Sequence, residues 1–83
     1  MVKKYILTKD TLGSEIRHLE GTAMQLLTTG QLKKGTIVEY VKSPKRFPLV
    51  IEVRIPNAEP IEEEYGTYTV TYQIVKSALK EVK

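Results

Sequence analysis

His18 is the only histidine of the chain, so it is the first side chain to weigh for proton transfer at neutral pH. Glu15 lies three residues earlier, within pairing distance on a helix. A metal site would need more ligands than this helix supplies, so His18 is a catalytic candidate by default and reads as a surface histidine beside a carboxylate. There is no cysteine, which removes thiolate catalysis, disulfides and cysteine-bound zinc together. Glu59, Glu62, Glu63 and Glu64 cluster without the Asp/Asn alternation and turn glycine of a calcium loop; they read as a solvated acidic loop. No glycine-rich phosphate loop, nucleophile elbow, HExxH or CxxC pattern occurs. The expectation is no metal and no cofactor.

Charge offers a second chemistry. Thirteen Lys and Arg against ten Asp and Glu leave a net charge of +3, mildly favourable for an anionic partner. Lys42, Lys45 and Arg46 lie in and beside the turn SPKR, with Lys33 and Lys34 upstream. Gathered at one hairpin tip, these five would make an anion- or nucleic-acid-binding surface. The five tyrosines suggest stacking on bases. Tyr40, Tyr68 and Tyr72 are more simply core or sheet-edge residues with the hydroxyl reaching water.

These groups must be positioned by secondary structure, and the strongest periodic signal is at residues 11–29, TLGSEIRHLEGTAMQLLTT. Leu12, Ile16, Leu19, Ala23, Leu26 and Leu27 fall within an arc of about 100° at helical spacing. The spacing predicts a helix, capped by Asp10 or Thr11 and closed by Gly30. Gly21 is out of place there, since a mid-helix glycine costs about 1 kcal/mol against alanine. The back of this helix carries Arg17, Gly21, Met24 and Thr28, long residues alternating with small ones, as a partner-binding stripe.

Strands are expected over residues 1–8, with Tyr5 and Leu7 inward, and 36–42, with Val38 and Tyr40 toward the helix. A third is expected in FPLVIEVRI, with Phe47, Leu49, Ile51, Val53 and Ile55 on one face and Val50, Glu52 and Arg54 on the other. The fourth, TYTVTYQIVK after Gly66, puts Tyr68, Val70, Tyr72 and Ile74 on one face. Residues 56–65 read as an acidic proline-containing loop, and 76–83 as a short helical turn or frayed tail. The expected fold is α+β: one small domain over residues 1–83, β-α-β-β-β, with one long helix on a mainly antiparallel four-stranded sheet. Ile37, Val41 and Val50 would then share the sheet face away from the helix and form a homodimer interface.

The segment RHLEGTAMQLL resembles the GH-x-x-T-x-x-LL helix of the viral ring nucleases, enzymes that cleave cyclic oligoadenylates. That resemblance implies a catalytic role for His18. Arg17 replaces the glycine before it, and Thr22 stands one residue further along. The second helix of those proteins has no counterpart, and the chain is not assigned to the family.

The first functional expectation is a non-enzymatic binding and regulatory module acting through protein–protein contact, with a protein partner or a second copy. Its size and basic, cysteine-free composition suit the small inhibitors of viruses and plasmids, an analogy of size and fold. The alternatives are a nucleic-acid-binding module using the basic tip, and a cyclic-nucleotide binder or ring-nuclease-like enzyme. No apolar run reaches signal-peptide or membrane-span length, so the expected location is the cytoplasm, with no membrane partner.

Overall fold

The computed structural model describes residues 2–21, 25–64 and 66–82. The strands are β1 (Lys4–Leu7), β2 (Thr11–Leu19), β3 (Gln25–Leu32), β4 (Ile37–Lys42), β5 (Val50–Arg54), β6 (Ile61–Glu63), β7 (Gly66–Val75) and β8 (Leu79–Val82). A single 3-10 turn, Lys76–Ala78, precedes β8. The strands make one sheet in the order β3-β2-β7-β5-β4-β1-β8, with β6 on β7 beyond the end of β5. Every pairing is antiparallel.

Short links force this sheet to curl. β4, β5 and β7 lie between β1 and β2, so a flat sheet would hold those two strands about 19 Å apart. The link from Leu7 to Thr11 reaches only about 14 Å when fully extended. The β3–β4 link crosses the same width. The two links are tied together where they meet: Lys34 N–H donates to Asp10 Oδ1 at 2.8 Å, Gly35 N–H to the Leu7 carbonyl at 2.8 Å, and Leu7 N–H to the Thr36 carbonyl at 3.0 Å.

The curl closes on Leu7, Leu32, Val38, Ile51, Val53, Ile74 and Ala78, with Tyr5, Tyr40 and Tyr72 packed against them. The registers put these side chains on one face, as Tyr5 pairs with Val38, Tyr40 with Val53 and Ile51 with Ile74. Tyr5, Leu7, Val38, Tyr40, Tyr68 and Ile74 thus face inward as their alternation predicts.

The α+β expectation is overturned. Among the described residues no α-helix forms, and residues 11–19 and 25–29 belong to the β2–β3 hairpin. Gly21 sits at its turn with φ 79°, a left-handed conformation that glycine adopts at no steric cost. Gly13, expected in a first helical turn, and Gly30, expected as a cap, pair with each other across the hairpin. A Cβ on Gly13 would lie 2.8 Å from the Gln73 carbonyl oxygen, so close approach to β7 requires glycine there. Long-range pairing overrode local periodicity: β2 occupies the edge of β7 from Ser14 to Leu19 and satisfies backbone groups that a helix lying on the sheet would leave unpaired. Arg17, Gly21 and Thr28 consequently form no helical stripe, and Met24 lies outside the described residues.

Two further expectations change. Residues 79–82 are no frayed tail but pair with β1 along its whole length. The acidic segment contributes β6, whose glutamates stay exposed. No helix among the described residues is long and apolar enough to cross a membrane.

Candidate functional site

His18 comes from β2 and lies on the outer, convex face of the sheet. Its Nε2 is 2.8 Å from Thr71 Oγ1 on β7 and 4.0 Å from Glu52 Oε2 on β5. Glu52 retains only 3% of its accessible surface, and Thr71 is also buried. The three side chains form a row across three strands because His18 reaches diagonally past its partner Thr69. Both contacts run through Nε2. A nucleophile–base–acid relay uses one ring nitrogen for each neighbour, so His18, Thr71 and Glu52 do not form one. The row fits a polar tie between strands.

A second polar group occupies the inner face beyond the apolar core. The Tyr72 hydroxyl donates to Glu15 Oε1 at 3.4 Å, Arg17 Nη2 is 3.7 Å from Glu15 Oε2, and the Arg17 guanidinium stands 5.2 Å from the Tyr68 ring centre. Burial raises the Tyr72 pKa above its ordinary value; the Glu15 charge and hydrogen bond add to this, and Arg17 opposes it. Where β5 leaves the edge of β7 and β6 rejoins it, a cleft of about 330 Å³ opens, lined by Val41, Ile55, Ile61 and Val70 with Glu15 and Tyr72. Among the described residues no group of three or more His, Asp or Glu side chains is placed to hold a metal.

The outer face also carries apolar surface. A shallow groove of about 430 Å³ runs between Leu12, Thr29, Phe47, Val50, Gln73 and Val75. Of its lining residues Leu12 is 68% exposed and Phe47 56%; Leu27 and Leu49, outside the lining, are 73% and 76% exposed. Helical spacing predicts Leu12 and Leu27 in a helix core, and strand alternation predicts Phe47 and Leu49 on the face of Ile51 and Val53. Pro48 marks the reason for the second error, because β5 begins only at Val50. The 43–49 turn places Lys45 and Arg46 beside these apolar residues, and Lys76 N–H donates to the Leu49 carbonyl at 2.8 Å.

The five cations do not converge. Lys33 and Lys34 precede β4 while Lys42, Lys45 and Arg46 follow or end it, a separation of roughly 20 Å along an extended strand. The residues expected at a dimer interface are spread likewise. Ile37 pairs with Ile6, Val50 pairs with Val75 at the far end of the sheet, and Val41 is the extra residue at the register shift between Tyr40 and Lys42.

One edge of the sheet adds main-chain hydrogen-bonding groups to this surface. Glu20 N–H donates to the Thr67 carbonyl on β7. Antiparallel alternation then turns the backbone groups of Ser14, Ile16 and His18 toward β7 and those of Thr11, Gly13 and Glu15 toward β3. In β3 their register partners are Leu32, Gly30 and Thr28. Leu27, Thr29 and Gln31 alternate with these and direct their N–H and C=O groups away from the sheet.

No protein-family model, no curated protein and no solved structure matches this chain. The resemblance to the ring-nuclease helix is not sustained, since Arg17 and His18 lie on a strand and Thr22 lies outside the described residues.

Proposed function

We propose that this protein is a non-enzymatic binding and regulatory module that takes an apolar, acid-flanked segment of a protein partner into the outer-face groove. The observation that carries this reading is the grouping of Leu12, Phe47 and Val75 as exposed apolar side chains lining one depression. Soluble surfaces rarely gather large apolar residues without a binding role. Lys45 and Arg46, in the turn that leads into Phe47, adjoin the same surface and favour acidic flanks on the partner.

Affinity capture from the native host's lysate, with and without nuclease, tests the reading. Wild-type protein should retain a nuclease-resistant protein partner, Phe47→Ser with Leu12→Ser should lose it, and Lys45→Ala with Arg46→Ala should weaken it. Retention of the same partner by the apolar variant would overturn the groove as the site. Material released by nuclease and lost only in the basic variant would favour nucleic acid. In that case Lys42, Lys45 and Arg46, rather than all five cations, predict a log–log salt slope of about −2.7 on duplex DNA.

A further inference from the structure

We propose that the chain associates with a second copy of itself through β3, the two strands pairing antiparallel about a two-fold axis to make one continuous sheet. This interface is the main-chain edge of β3, which adjoins the groove at Thr29, and it does not depend on what the groove binds. Among the described residues β3 ends the sheet and pairs with β2 alone. It runs for eight residues, QLLTTGQL, with no charged side chain and no proline. Soluble proteins normally guard such an edge with charge, proline, a bulge or a short strand. The described β2–β3 register is continuous from Thr11 to His18, so no bulge twists the edge away.

The geometry favours a copy of the chain as the occupant. Centred on Thr28, an antiparallel self-pairing sets each Leu27 opposite Thr29 of the other copy and each Gln25 opposite Gln31, for about eight main-chain hydrogen bonds. All of these residues belong to the set whose backbone groups point outward. A neutral strand meets its copy without like-charge repulsion. The antiparallel direction also carries Lys33 and Lys34 of each copy toward the hairpin turn of the other, where Glu20 is exposed. An axis perpendicular to the sheet leaves both outer faces on the same side, so the dimer displays two grooves on one surface.

Sedimentation from low to high micromolar concentration, with amide exchange measured at both ends of that range, tests the proposal. The expected result is a monomer–dimer equilibrium, with exchange at Leu27, Thr29 and Gln31 slowing as concentration rises while exchange in β8 does not change. Leu27→Lys and Thr29→Pro should each weaken association by about tenfold or more. The first adds charge on the edge; the second removes an outward N–H that β2 does not use. Circular dichroism checks folding, and Leu27→Lys, changing an exposed side chain, keeps the test decisive if the proline variant unfolds. A monomer at every concentration, a dimer indifferent to Leu27→Lys, or concentration-dependent protection in β8 would each overturn the proposal.

Discussion

β8 ends the sheet on one side with four residues, Leu79–Val82, that include Lys80 and Glu81, whereas β3 ends it on the other with eight and no charge. The β8 edge is anchored to the core. Ala78, immediately before it, is completely buried, Leu79 packs on the same cluster, and the Thr8 N–H and Oγ1 both donate to the Ala78 carbonyl. Among the described side chains of β3, Leu32 at its C-terminal end belongs to that cluster, and Leu27, Thr28 and Thr29 are exposed. One edge is therefore a structural closure, tied to the packing that stabilises the fold. The other is an arm that can change without loss of the core, which is where an interaction surface can vary most freely.

Mutations can break or sharpen this contrast, and the largest effect is expected on the β8 side. Leu7 pairs with Leu79 and is 1% exposed, so Leu7→Ala should lose about 2–5 kcal/mol through transfer and cavity terms. That is much of the 5–15 kcal/mol available to a small domain. Urea unfolding measures it, and a loss below about 1 kcal/mol would remove the claim that this end is the anchored one.

Next comes the root of the arm. Gly13→Ala would place a Cβ 2.8 Å from the Gln73 carbonyl oxygen and 3.1 Å from Ile74 Cγ1, and overpacking of this kind costs about 1–3 kcal/mol. The same denaturation experiment reads it. A neutral outcome would mean that β2 can stand off β7 without penalty. At the tip of the arm the effect on folding should nearly vanish. Leu27→Lys is expected to change global stability by no more than about 0.5 kcal/mol, as measured in dilute, monomeric protein. A larger loss would place Leu27 in the fold rather than on a free edge.

The smallest effect concerns the inner face of the arm. The Tyr72 hydroxyl has a folded pKa raised above its unfolded value of 10.0, chiefly by burial and then by Glu15. Its contribution to stability is fully present below pH 10 and is lost as pH rises through the folded value, because the unfolded state releases its proton first. Thermal melts of wild type and Tyr72→Phe between pH 8 and about 11 should diverge only at the alkaline end, with the variant declining less. Identical profiles would show that folding does not raise the Tyr72 pKa. His18→Ala should leave partner capture within about tenfold of wild type, since the imidazole ties Thr71 and Glu52 rather than serving a relay; a larger loss in a folded variant would restore His18 as a functional residue.

Much of the inner face was legible in the residue pattern. Alternation in TYTVTYQIV places Tyr68 and Ile74 inside whatever the strand pairs with, because successive side chains on a strand point to opposite faces. Gly21 also announced itself as misplaced in a helix, and the physical cost behind that objection is the one the hairpin turn removes. The apolar spacing from Leu12 to Leu27 misled because β2 and β3 use both faces: Ile16 is buried on the outer one, Gly13 and Glu15 meet Ile74 and Tyr72 on the inner one, and Leu27 is exposed. A strand contacted on both sides shows no clean period of two, and a period near 3.6 can then arise without a helix.

The amino-acid sequence by itself determined the local properties: no thiol chemistry, a mildly basic charge, glycines where the chain must turn, and strands whose apolar faces need covering. Tertiary structure alone decided which strands lie side by side. The links at 8–10 and 33–36 are too short to cross a flat sheet, so they curl it; the strand order puts β2 against β7, brings Glu52 beneath His18, parts the five cations and leaves β3 at an edge. Edge status, and with it the candidate interface, depends on the strand that is not there, a property of the whole assembly of strands that no local spacing of residues encodes.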